Sequence, residues 1–229
     1  MAEAKEIQQL ARILNLHNIA NGEIDLNDEK LSNKDYIYNI LLQEVNIRNA
    51  NKTKDIRKQA RLPEKVFDKT RITEGLKWQL DKLKNFDFAS KRQNIFIVVD
   101  CSTGKTSLAV AIGNEAIDKG AKVIYIKFDD LLTEQKLKKK IWNYILNADL
   151  VIVDELFYMT PTEEELEQAY KIMMFLQETR SLILITNRAL SSWKEMKVDS
   201  HLVETLQKRL MQGAQLISLA SFDDNNFIS

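Results

Sequence analysis

From residue 94 to residue 219, short apolar runs alternate with helical stretches, and this alternation restricts the fold more than any other feature. Ile95-Phe-Ile-Val-Val99, Lys122-Val-Ile-Tyr-Ile-Lys-Phe128, Leu150-Val-Ile-Val153, Leu182-Ile-Leu-Ile185 and Leu216-Ile-Ser-Leu219 are rich in β-branched residues. Runs this short and this apolar read as buried strands. Ser107 to Lys119, Leu131 to Asn147, Glu163 to Glu178 and Ser200 to Gln212 read as the intervening helices, and Gly120 stops the first of them. Strands separated by helices pair in parallel, so the expectation is an α/β fold with a mostly parallel, doubly wound sheet. Ligands of such sheets bind beyond the carboxyl ends of the strands. The chemistry is therefore expected just after residues 99, 153 and 185.

The chain before residue 65 has a different character. Residues 1–47 are slightly acidic and periodic. Ser32 followed by Asp35 resembles a capping box, and Tyr36, Ile37, Ile40, Leu41 and Val45 recur behind it at helical spacing. Residues 48–71 then hold nine Lys/Arg against three acids, and Pro63 is expected to end the helix. The expected division is a small helical region, 1–65, and an α/β domain, 66–229. Lys+Arg and Asp+Glu are both 33, so a uniformly basic nucleic-acid coat is excluded. Any DNA contact must concentrate its charge, and Lys54, Arg57, Lys58 and Arg61 are the candidates, against the plain reading of a solvated charged helix. Cys101 is the single cysteine, which excludes a disulfide framework and a Cys-rich zinc site, and His17 and His201 read as surface or satisfied residues. No run approaches the length of about 18 apolar residues that a membrane span needs, and Met1 to Gln9 carries no signal-peptide pattern. A cytoplasmic protein is expected.

Ser102-Thr-Gly-Lys-Thr106 joins the first strand to the first helix of the α/β region. A phosphate-binding loop has the form G-x-x-x-x-G-K-[ST] in that context. Its amides and the helix N-terminus hold phosphate oxygens. The candidate ATP contacts are Ser102, Thr103, Gly104, Lys105, Thr106 and Ser107, with Lys105 on the β- and γ-phosphates and the Thr106 hydroxyl on Mg²⁺. The pattern's first glycine falls on Val99 and a frequent inner glycine on Ser102. A left-handed non-glycine residue costs about 1–2 kcal/mol, so the turn is expected to start at Asp100 and binding to be weak. An ordinary strand-to-helix turn is the plain alternative.

Leu150-Val-Ile-Val-Asp-Glu155 delivers two acids from a buried strand: Asp154 for the Mg²⁺ shell and Glu155 to polarise an attacking water. Leu182-Ile-Leu-Ile-Thr-Asn187 ends in Asn187, placed to hold that water or to sense the γ-phosphate, beside Thr186. Arg209 lies off the Leu202, Leu206, Leu210 stripe and points outward. It suits an arginine finger for a neighbouring subunit's nucleotide, against a solvated helix residue. Met173 to Leu176 reads as core.

With these residues in view, the chain resembles the IstB/DnaC/DnaI group of AAA+ ATPases, transposition helpers and replicative-helicase loaders. The resemblance covers nearly the whole chain, from Gln8-Gln-Leu-Ala-Arg-Ile-Leu14 through Ala60-Arg-Leu-Pro63 and Ser102 to Ala109. Asp154-Glu-Leu-Phe-Tyr-Met-Thr-Pro161 is similar to the IstB-type Asp-Glu-Leu-Gly-Tyr segment, with Phe157 in place of Gly. Thr186-Asn-Arg-Ala-Leu-Ser-Ser-Trp193 looks like the IstB sensor segment, which ends in the same Trp. Asp199 to Leu219 matches the family's final helix and strand, and the family's arginine finger falls on Arg209. The resemblance implies a RecA-like P-loop AAA+ domain without the helical lid of larger relatives, and no DnaI-type zinc domain. It further implies an ATP- and Mg²⁺-dependent homo-oligomer that hydrolyses ATP and acts on DNA with a transposase; the departures at Val99 and Ser102 make weak hydrolysis the expectation. Two alternatives stand beside it. One is a DnaC/DnaI-like loader of a replicative helicase in a phage or mobile element. The other is a nucleotide-insensitive DNA-binding adaptor with a degenerate P-loop.

Overall fold

A computed structural model describes residues 4–24, 33–65, 83, 87–88, 91–98, 104–138 and 140–218. The chain divides into two compact units, residues 1–55 and 56–229. The division falls inside a long helix rather than at residue 65, so residues 56–65 go with the α/β unit.

The first unit contains α1 (Ala4–Ile13), α2 (His17–Ala20) and most of α3 (Asn33–Ala60). Ala11, Ile19, Ala20 and Ile24 form its small core, with Ile7, Leu16, Ile40 and Ile47 packed around them. Ile37, Leu41 and Val45 lie on α3 at the expected spacing but remain exposed. A buried carboxylate organises the turn into α2. Glu44, 2% exposed, accepts from the Asn18 and Ile19 amides at 3.1 Å each and from Arg48 at 3.1 Å. Those amides belong to the first turn of α2, where backbone donors have no helical partner. Ser32 lies outside the described residues. The helix ends at Ala60; Arg61 turns left-handed at φ 55°, two residues ahead of Pro63.

The second unit alternates as the sequence predicts: β1 (Asn94–Val98), α4 (Lys105–Asp118), β2 (Val123–Lys127), α5 (Phe128–Lys136), α6 (Lys140–Leu146), β3 (Leu150–Asp154), α7 (Glu163–Thr179), β4 (Ser181–Thr186), a 3₁₀ turn (Leu190–Glu195), α8 (Ser200–Met211) and β5 (Ala214–Ser218). The five strands pair in parallel in the order β2-β3-β4-β1-β5. Both faces are covered. Ile95, Ile97, Val123, Ile152, Ile183 and Ile185 point to one face, against Leu108, Ile112 and Ile117 of α4 and Ile56 and Ala60 of α3. Phe96, Ile124, Ile126, Val151, Val153, Leu182 and Leu184 point to the other, against α5 to α8. Strands buried on both sides read as continuous apolar runs, as in the inner strands β1, β3 and β4; the edge strand β5 leaves Leu216 exposed.

One expected helix is two. Residues 131–147 are interrupted after Lys136, with Lys138 left-handed at φ 47°, and the first piece starts earlier, at Phe128. The break lies within the Lys136 to Lys140 run, where like charges a turn apart disfavour a continuous helix. The helix after β1 starts at Lys105 rather than Ser107, and the last strand at Ala214 rather than Leu216. Among the described residues no helix is long and apolar enough to cross a membrane.

Candidate nucleotide site

Gly104 caps the N-terminus of α4 in a left-handed conformation, φ 86°, which glycine enters without steric cost. Lys105 follows as the first helical residue and is only 6% exposed. Thr106 and Ser107 are half-buried in the same turn. Val99, Asp100, Cys101, Ser102 and Thr103 lie outside the described residues. A 14-residue helix leaves its first amides unpaired and carries partial positive charge there, the setting that favours an anion. Gly113, further along α4, holds the helix close to the sheet: a Cβ there would lie 2.9 Å from Ile152 Cδ1 and 3.2 Å from Leu62 Cδ2.

Asp154 ends β3 and is 4% exposed. Its Oδ2 accepts from the Thr106 hydroxyl at 2.8 Å and from the Tyr125 hydroxyl at 2.8 Å, while Oδ1 accepts the Glu155 amide at 2.7 Å. Thr106 and Asp154 thus meet directly, across a sequence separation of 48 residues. A hydroxyl and a carboxylate are hard oxygen donors. Mg²⁺ is ordinarily held by one or two carboxylates plus substrate phosphates, and these two residues fit that habit. Among the described residues no cluster of three or more His, Cys, Asp or Glu forms an all-protein metal cage.

Glu155 leaves the strand at φ 59°. The chain is pinned around it: Leu156 donates to the Ile185 carbonyl at 2.9 Å, and Tyr158 to the Glu155 carbonyl at 3.0 Å. The Glu155 carboxylate pairs with Lys127 Nζ at 3.0 Å, from the carboxyl end of β2. The hydrogen bond and charge of Glu155 raise the Lys127 pKa, so the ammonium is retained. Burial, then the negative charges of Glu165, Glu155 and Asp130, raise the pKa of Asp129. Tyr125 is raised far above the ordinary phenol range by burial, its hydrogen bond to Asp154 and the two nearby carboxylates.

Phe157, the residue standing where the IstB-type segment has Gly, is left-handed at φ 53° and fully buried. It packs edge-on against Phe128 and Trp193, with ring centroids at 5.1 and 4.8 Å. Trp193 is therefore a wedge between the segments that follow β3 and β4.

β4 lies between β1 and β3, so Asn187 emerges from the strand separating the Lys105 loop from Asp154. Thr186 is buried; its hydroxyl donates to the Leu156 carbonyl at 2.9 Å and accepts the Arg188 amide at 3.1 Å. It fastens the two strand ends together and leaves Asn187 half-buried beside them. Arg209 is exposed on α8, whose buried stripe is Val203, Leu206 and Leu210, with Leu202 half-buried. Lys54, Lys58 and Arg61 are exposed, whereas Arg57 is engaged by Asn114 at 2.6 Å and Asp118 at 2.5 Å.

Sequence reasoning missed Tyr125 and Lys127. The one signal was their i, i+2 spacing near the carboxyl end of an apolar strand, which puts two polar tips on one face.

Residues 5–222 match the family described as IstB-like ATP binding protein. A protein of Bacteroides fragilis, named for an IS21-like insertion sequence and for ATP binding, is 28% identical over 94% of this chain and 87% of its own length. Another, named for IS21 in Pseudomonas aeruginosa, is 26% identical over 83% of this chain and 76% of its own. Among solved structures, the DnaC helicase loader superposes with a TM-score of 0.55 at 20% identity, covering 70% of this chain and 97% of that one. AMPPCP-bound DnaA from Aquifex aeolicus superposes at 0.50 with 25% identity, covering 69% and 50%. The α/β sheet expected from the sequence is the one these AAA+ proteins share.

Proposed function

The chain belongs to the IstB-like ATP-binding family, and from that premise we propose that it binds Mg-ATP around Lys105 and hydrolyses it to ADP and phosphate. In this reading the protein assembles on DNA as an oligomer and assists a transposase. The observation that carries the nucleotide reading is the hydrogen bond between Thr106 and Asp154. Two oxygens needed for one cation meet beside a helix N-terminus and a nearly buried lysine.

Phosphoryl transfer asks the protein mainly for positioning and charge neutralisation. Lys105 and the α4 amides hold the phosphates, and Ser102, Thr103, Gly104 and Ser107 are the further residues assigned to that contact. Thr106 and Asp154 hold Mg²⁺, which neutralises charge on the phosphate oxygens when bound. Glu155 and Asn187 orient the attacking water, and Arg209 reaches the nucleotide of a neighbouring copy. Lys127 fixes the direction of the Glu155 carboxylate. Val99 and Ser102 depart from the loop's glycine pattern, and weak binding follows from that departure. A transposase is favoured over a helicase as partner by the Asp154-Glu-Leu-Phe-Tyr158 and Asn187-Arg188…Trp193 segments, and by the IS21 names of the relatives.

Phosphate release with Mg²⁺ and DNA tests the reading. The parent should turn over ATP, and Glu155→Gln should bind nucleotide while losing turnover roughly 100-fold or more. A parent that releases no phosphate above buffer under these conditions contradicts it.

A further inference from the structure

Tyr125 belongs to none of the sequence motifs, yet its hydroxyl donates to the same Asp154 oxygen as Thr106 does, at 2.8 Å in both cases. It stands on β2, opposite Ile152 in the register, on the sheet face that carries α4. Side chains in strands lean along the strand direction, and here the ring reaches two residues further, to the carboxylate that ends β3.

The three donors on Asp154 differ in what else they must do. Thr106 sits on the nucleotide-binding helix and is itself a candidate cation ligand. The Glu155 amide belongs to a turn with left-handed backbone. The Tyr125 hydroxyl comes from the sheet and has no other duty in the site. A carboxylate has about four lone-pair sites, and three of the donors to Asp154 lie among the described residues. Groups that orient a metal ligand from behind fix its direction, and their loss typically costs about 10–100-fold in metal affinity.

We propose that Tyr125 is a positioning residue for the divalent cation: its hydroxyl fixes the Asp154 carboxylate so that Asp154 and Thr106 face the metal together. The proposal rests on the Mg-ATP reading of the site and adds a residue to it.

The test is a Mg²⁺ titration of the binding of a fluorescent ATP analogue by the full chain, with EDTA as the metal-free reference. The parent is compared with Tyr125→Phe, Tyr125→Leu and Asp154→Asn, and thermal midpoints report folding. Tyr125→Phe should raise the half-saturating Mg²⁺ concentration about tenfold. Its metal-free affinity should match the parent, and its thermal midpoint should fall by no more than the several degrees that one lost hydrogen bond costs. Tyr125→Leu should show the same Mg²⁺ shift, since the hydroxyl is what matters. The proposal is overturned if Tyr125→Phe titrates like the parent while Asp154→Asn loses its Mg²⁺ response. It is also overturned if only Tyr125→Leu shifts, because ring packing would then be responsible. A parent that shows no Mg²⁺ response at all overturns both the proposal and the reading beneath it.

Discussion

Phe157 occupies a backbone conformation that costs a non-glycine residue about 1–2 kcal/mol. Its ring is fully buried between Phe128 and Trp193, and emptying such a site costs about 3–5 kcal/mol. Packing outweighs strain, so Phe157→Gly should destabilise the α/β unit by roughly 1–4 kcal/mol despite relieving the backbone. Urea unfolding decides this, and a variant as stable as the parent would mean that strain cancels the packing. Asp129 gives a pH test. Its carboxyl holds a proton more tightly in the folded chain than at its ordinary value of 3.8. Stability is therefore lost as pH rises from that value through the raised one. Asp129→Asn removes the loss, so it should be more stable than the parent at neutral pH and should show no such gain below pH 3.8. Unfolding midpoints at the two pH values check the sign. At this scale the sequence marked Lys105, Thr106, Asp154, Glu155 and Asn187 as candidates by their motifs, and the structure brings Thr106 and Asp154 into direct contact. It hid Tyr125, because a tyrosine in an apolar strand looks like any other half-buried aromatic until the register with β3 is known.

Elements were legible wherever burial is uniform. The inner strands β1, β3 and β4 announced themselves because both of their faces are covered. The break between α5 and α6 was not legible, since no glycine or proline marks it and the left-handed residue is Lys138. Nor was the role of Glu44, an acid in a long polar helix that turns out to serve the first turn of α2. Glu44→Ala would strand two buried amides, at about 2 kcal/mol in all. Amide exchange at Asn18 and Ile19 should then quicken by about thirtyfold. Exchange at the parent rate would mean that those amides draw their protection from elsewhere. The capping box of α7 offers a plainer case. Thr162 accepts the Glu165 amide at 3.3 Å, and Glu165 takes back the Thr162 amide at 2.8 Å. Thr162→Ala should cost about 1 kcal/mol in urea unfolding.

At the scale of the whole molecule, the proposed chemistry needs more than one copy and a separate DNA-binding surface. In the proposed reading Glu155 acts on its own nucleotide and Arg209 on a neighbour's, so Glu155→Gln and Arg209→Ala should each silence turnover, and mixing them should restore part of it. No recovery with normal assembly would contradict a finger acting between copies. The exposed cations Lys54, Arg57, Lys58 and Arg61 remain the proposed DNA-binding residues, and among the described residues Arg57 alone of the four is seen paired, with Asp118 and Asn114. Reversing the four residues to Glu should reduce the salt slope of DNA affinity by about 0.9 for each phosphate no longer neutralised. Everything else depends on the nucleotide. The most direct measurement is the equilibrium binding of a fluorescent ATP analogue in Mg²⁺ by the parent chain and by Lys105→Ala. Without the charge-assisted hydrogen bond from Lys105 to phosphate, binding should weaken about tenfold or more. Equal affinity of the two proteins, or no binding by the parent, would contradict the assignment of the site.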